Sequence, residues 1–332
     1  MGKTSIEWCD KSWGVVRGCK QVSPGCTHCY AMRMAHRFSG KGKPYEGLTK
    51  STDHGPVWTG RARFVPEMLE APLHWRKPAR IFANSMSDLF HDDITNEQIA
   101  AVFGVMAACP QHTFLILTKR PSRMMQWFRW INQQTKSLER AADWFVQNEA
   151  YKLVNNFPLH HIKGTLRAYP WPLPNVWLGV SAENQLEAEN RIEFLVTSVP
   201  AAIRFVSLEP LLGPIDLENL ELYYVRDSKK TSYDPIIRLD ALRGYMKGAD
   251  EMMDAKLDLV IVGCESGPGA RPMDLNWVRS LRDQCVAAKV SFFFKQAMLQ
   301  DPAWPSRIGR KALQSMPELD GKVWAQFPGD AR

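Results

Sequence analysis

Six short apolar runs punctuate the chain, each bounded by polar loops: RIFANS (80–85), TFLILTKR (113–120), NVWLGVSAEN (175–184), IRFVSLEP (203–210), LDLVIVGCESG (257–267) and VSFFFKQ (290–296). They are rich in β-branched and aromatic residues, and both faces of each run are apolar. An antiparallel surface strand would alternate polar with apolar, so this pattern predicts strands buried on both faces, as in a parallel sheet. A further strand is expected at SWGVVRG (12–18). The segments between strands have helical spacing. TNEQIAAVFGVMAAC (95–109) opens with a capping-box pairing of Thr95 and Gln98, and DLNWVRSLRDQCVAAK (274–289) starts from an Asp274 cap. NQLEAENRIEFLVTSV (184–199) and THCYAMRMAHRF (27–38) complete the set.

Strand and helix therefore alternate through about seven βα units, which predicts an α/β fold and, within it, a complete or partial (β/α) barrel of the TIM type. An open doubly wound sheet is the alternative. Residues 1–300 are assigned to the barrel, with rim insertions at 127–172 and 219–256, because loops this long in a compact domain usually carry function. Residues 301–332 are expected as a loose C-terminal tail.

The strands end on polar residues. Asn84, Ser85 and Asp88 follow the first of the six runs, and Thr118, Lys119 and Arg120 the second. Ser181, Glu183 and Asn184 follow the third, Ser207 and Glu209 the fourth, Glu265 and Ser266 the fifth, Lys295 and Gln296 the sixth. In a barrel all of these converge on the face that holds the active site.

The first residues contain no apolar run of signal-peptide length, and no segment has the uninterrupted apolar span of a membrane helix. A reducing cytoplasm and no membrane association are expected. There, clustered cysteines are metal ligands or catalytic groups more often than disulfides. Three of the seven cysteines, Cys19, Cys26 and Cys29, lie in GCKQVSPGCTHCY (18–30) as C-x6-C-x2-C. Three thiolates suit zinc with a fourth ligand, for which His28, Cys9 and His36 are at hand, or an iron–sulfur cluster with one iron left open. The net charge of +7 suits a polyanionic partner such as nucleic acid.

A three-cysteine loop after the first strand of such a barrel resembles the radical S-adenosylmethionine superfamily. More closely, TSIEWCDKSWGVVRGCKQVSPGCTHCYAMRMA, with NSMSDLFHDDI, LTKRPSRM, WLGVSAENQ, SLEPLLGP and VGCESGPGARPM, is similar to a phage-associated three-Cys-motif family. The superfamily spacing is C-x3-C-x2-C, whereas the first gap here is six residues. The resemblance implies that Cys19, Cys26 and Cys29 bind three irons of a [4Fe-4S] cluster whose fourth iron is chelated by S-adenosylmethionine. A flavodoxin- or ferredoxin-type reductant would then drive formation of a deoxyadenosyl radical, with a nucleic-acid base or nucleotide as substrate. On this view Ser85 and Asp88 receive the methionine amino group. Lys119 and Arg120 meet its carboxylate or a substrate phosphate, and Ser181, Glu183 and Asn184 the ribose. Glu265, Arg271 and Cys264 are the candidate catalytic groups.

Two other readings remain open on the residues: a zinc-binding scaffold or DNA-binding protein, and a metal-dependent nuclease built on Asp88, Glu183 and Glu265. GCESGPGARP does not follow a first strand and is no dinucleotide fingerprint. Trp127 and Trp130, Cys109 and Cys285 are assigned to the core, and HDD (91–93) and HH (160–161) to loops.

Overall fold

The computed structural model describes residues 4–138, 142–155, 157–158, 170–222, 237–300 and 311–330. All six runs are strands. The main sheet contains β1 (Lys11–Trp13), β2 (Arg80–Ala83), β3 (Thr113–Thr118), β4 (Val176–Ser181), β5 (Ile203–Leu208), β6 (Leu259–Gly263), β7 (Ser291–Gln300) and β8 (Lys311–Ser315). Order across the sheet is order along the chain. The pairs β1/β2, β2/β3, β5/β6 and β6/β7 are parallel, and β8 closes the series antiparallel to β7. The continuous apolar runs follow from this: every residue of β6 is buried, as are the three consecutive phenylalanines Phe292, Phe293 and Phe294 of β7.

The chain forms two compact units, one of residues 1–22, 29–178 and 199–202, the other of residues 23–28, 179–198 and 203–332. The first holds β1 to β3 with α1 (Tyr30–His36), α2 (Asn96–Ala107), α3 (Pro121–Leu138) and α4 (Ala142–Leu153). Helix α2 starts at the expected capping box, with both the Thr95 and Gln98 hydrogen bonds present. Trp127 of α3 is fully buried, its ring 4.4 Å from Phe103 and its Nε1–H donating to Asn96 O. Half-exposed Trp130 meets Phe145 edge to face. Part of the stretch 127–172 is thus the helix that follows β3, continued by α4.

The expected strand SWGVVRG divides into two that belong to different sheets. Lys11–Trp13 pairs with β2, while Val16–Gly18 pairs antiparallel with Ala62–Phe64. Asn84, at φ +60°, makes the division possible, because its Oδ1 accepts from the N–H groups of both Val15 and Val16.

The second unit holds β5 to β8, α5 (Gln185–Thr197) and α6 (Leu275–Ala288). Asn184 and Asp274 cap the two helices through their side chains. Residues 220–252 supply four short antiparallel strands, the second beginning at Arg238. After residue 310 the chain adds β8, a hairpin of Glu318–Leu319 with Lys322–Val323, and a bridge from Ala325 to Phe293. His160, His161 and most of YYVRDSKKTSYDP and PAWPSRIGRK lie outside the described residues. No helix among the described residues is long and apolar enough to cross a membrane.

Gly104 of α2 lies against the backbone of α4: a Cβ there would come within 2.1 Å of Val146 O. Helix propensity alone favours Gly104→Ala by about 1 kcal/mol. Overpacking costs about 1–3 kcal/mol and has a rigid carbonyl to push against, so it wins. Gly104→Ala should lower the thermal midpoint measured by circular dichroism; a raised midpoint would show that α2 and α4 do not pack this closely.

Candidate functional site

The cysteine segment leaves the strand Val16–Gly18 through Gly18, at φ +88°, where a Cβ would lie 2.3 Å from Arg61 O. Glycine alone tolerates both the left-handed turn and the close backbone. Cys19 follows, and Cys29 occupies the N-cap position of α1. Both pack against a cluster of Ala31, Met32, Ala35 and Trp58. None of the seven cysteines is in a disulfide.

In the first unit the segment is tied to the ends of β2 and β3. Arg120 forms a buried ion pair with Asp88, Nη1 to Oδ2 at 2.8 Å, and its Nη2 donates to Lys20 O at 3.0 Å. Asp88 also accepts from Thr118 Oγ1 and from the backbone N–H of Lys119 and Phe90. Burial pushes the Cys19 thiol up to about 12; the Asp88 carboxylate and Cys29 add to this and Arg120 opposes it. Tyr30 donates its hydroxyl to Ser85 O at 2.7 Å, and Ser85 Oγ lies 3.3 Å from Ser12 Oγ.

In the second unit residues 23–28 are held by two further carboxylate–arginine pairs. Glu183, fully buried, accepts from Gly25 N–H at 2.7 Å and pairs with Arg191 Nη1 at 3.2 Å. A Cβ on Gly25 would stand 2.9 Å from the Glu183 carboxyl carbon, so the close approach requires glycine. Arg191 also donates to Ser181 O and pairs with Glu187. His28 donates from Nδ1 to Glu265 Oε2 at 2.8 Å, and Arg271 donates to the same carboxylate from its backbone N–H, Nε and Nη2. Burial works against the Glu265 charge, but the hydrogen bonds from Arg271 and His28 outweigh it and hold the carboxyl at about 2.

The remaining expected site residues have these partners. Glu183 is engaged by the cysteine segment and by Arg191. Asn184 Oδ1 caps α5, and Ser181 Oγ bonds Glu209 O at 3.3 Å. Glu265 and Arg271 are joined to each other. Cys264 is buried, and burial first of all raises its thiol to about 11. Of the suggested fourth ligands, Cys9 is buried with its thiol toward Ile6 O, and His36 is bonded to Thr49 and Ser51. His91 is buried, its Nδ1 accepting from Asp93 N–H, while Asp92 and Asp93 are exposed in the loop expected there. Among the described residues no group of three or more His, Cys, Asp or Glu is gathered as metal ligands. Sequence reasoning missed Arg191 altogether, although Glu187 and Arg191 sit at the i, i+4 spacing of a helical ion pair.

The molecule is thus an α/β protein whose three-cysteine segment is fastened at Lys20, Gly25 and His28 by three carboxylate–arginine pairs. It belongs to the family described as Protein of unknown function (DUF5131), whose model matches residues 3–328. No curated protein and no solved structure matches the chain.

Glu265 has its carboxyl lowered from an ordinary 4.5, so its contribution to stability is complete above that pH and is lost as pH falls toward 2. Glu265→Gln should therefore melt at a lower temperature than wild type at pH 6, with the gap narrowing toward pH 3. A gap constant across that window would mean that the Arg271 pairing is not made.

Proposed function

We propose that this protein is a radical S-adenosylmethionine-type iron–sulfur enzyme on a complete or partial (β/α) barrel, acting on a nucleic-acid base or nucleotide. Cys19, Cys26 and Cys29 hold the [4Fe-4S] cluster. The observation that carries this reading is the fastening of a segment with three cysteines outside any disulfide by three separate ion pairs. Barrel geometry is supported by a sheet whose order never reverses along the chain, which lacks the switch point of a doubly wound fold.

The donor chemistry fits such a group. Beside Asp88 the Cys19 thiol is neutral on its own, because both burial and the carboxylate disfavour a second negative charge. A cationic centre reverses that preference and takes the thiolate as ligand. Cys19, Cys26 and Cys29 would hold the cluster, and once reduced by a flavodoxin- or ferredoxin-type donor it would supply one-electron chemistry toward S-adenosylmethionine. The chain's own residues bind and orient. Arg120 fixes the backbone next to Cys19, Glu183 fixes the turn that ends at Cys26, and Glu265 fixes His28 next to Cys29. Ser85 and Lys119, at the strand ends, take the amino and carboxylate groups of the methionine moiety. Asp88, Glu183 and Glu265 act through the segment, and each is paired with its own arginine, which speaks against their use as a nuclease metal cluster.

Anaerobically prepared protein should be brown, contain iron and acid-labile sulfide, and release deoxyadenosine from S-adenosylmethionine under dithionite. Cys19→Ala, Cys26→Ala and Cys29→Ala should each lose the colour, while Cys264→Ala keeps it. Colourless protein with stoichiometric zinc overturns the proposal.

A further inference from the structure

The charge of this chain is concentrated. Residues 30–63 contain seven Lys and Arg against two Asp and Glu, a net +5 of the chain's +7 in 34 residues. They fold as one module in the first unit: α1, the loop after it, and the hairpin Thr49–Thr52 with Gly55–Trp58, whose Trp58 packs on Ala31, Met32 and Ala35. Backbone bonds from Tyr45 to Phe38 and Thr59 to Leu48, with Arg63 Nη2 on Pro44 O, hold the loop to the hairpin. Arg37, Lys41, Lys43, Lys50, Arg61 and Arg63 are all exposed.

The same module displays apolar surface that it does not bury. Tyr30 and Met34 lie one turn apart on α1, and Phe38 stands just past its end; they are 49%, 41% and 49% exposed. The Tyr30 ring is held in place while it is exposed, because its hydroxyl is bonded to Ser85 O. A rigid ring loses little entropy on binding.

Resting on the reading above, we infer that residues 30–63 bind single-stranded nucleic acid and deliver it to the adjoining cysteines, Tyr30 following Cys29 directly. The cations meet the phosphates, and the rings of Tyr30 and Phe38 stack on bases. Exposed rings select a single strand over a duplex, because a paired helix hides the base faces on which they stack. An acidic protein would be met by the charge but gives the exposed rings no comparable role.

The test is fluorescence anisotropy of the full-length, metal-free protein with a labelled mixed-sequence DNA strand, an RNA of the same sequence, and the DNA annealed to its complement. One or both single strands should bind more tightly than the duplex, the DNA and RNA arms deciding between the two sugars, and affinity should fall as salt is raised. Phe38→Ala should weaken single-strand binding about tenfold at an unchanged thermal midpoint. Lys41→Glu with Lys43→Glu should weaken it further and flatten the salt dependence. Equal or tighter duplex binding, or indifference to Phe38→Ala, overturns the inference. So does a face that holds only an acidic electron-donor protein. Because no metal is present, strand binding by a chain that takes up no iron would leave this surface standing and remove the cluster reading; a brown protein that binds no strand would do the reverse.

Discussion

The structure around the cysteines depends on one repeated interaction, a carboxylate–arginine pair with one hydrogen bond left over for the cysteine segment. Both partners are buried in Asp88–Arg120 and Glu183–Arg191, and the carboxylate alone in Glu265–Arg271. Arg120 of the first pair reaches the carbonyl of Lys20; Glu183 and Glu265 of the other two reach Gly25 N–H and the His28 ring. Buried ion pairs of this kind contribute little net stability, since desolvation cancels much of the attraction. Their effect is on geometry. Removing one partner strands a charge at a cost of about 3–5 kcal/mol, so each pair holds its segment contact in place against alternatives. A segment with little regular structure of its own is thereby given a defined path.

Strands and caps were legible because burial on both faces leaves a continuous apolar run, and capping needs particular residues at fixed offsets. RIFANS, TFLILTKR and VSFFFKQ could be placed on that basis alone, and so could Thr95 with Gln98 and the Asp274 cap. SWGVVRG was misjudged as one strand because its division depends on Asn84, about seventy residues away, lending one oxygen to two amides. The continuation of the sheet by Lys311–Ser315 was not legible either. An edge strand alternates between half-buried and exposed positions, and KALQS resembles a loop.

The site was legible as a set of residues but not as a set of roles. The sequence cannot tell a side chain that meets a ligand from one that meets backbone. Glu183 shows why: its type and place at a strand end do not reveal that it is fully buried and bonded to Gly25 N–H and Arg191. The net charge is likewise legible as a total but not as a distribution. Spread over 332 residues, +7 is a weak signal, whereas +5 within 34 residues is a local field.

The fastening also bears on what holds the cysteine segment in place. In structural zinc modules the metal supplies much of the folding free energy, and the ligand loops have little else to hold them. Here the cysteine segment is anchored by protein–protein hydrogen bonds at three points that involve no thiol. These contacts fix the segment at Lys20, Gly25 and His28 without any contribution from a sulfur. Cys19 is half-buried, and desolvation together with the neighbouring Asp88 carboxylate raises its thiol, so its environment resists a free thiolate.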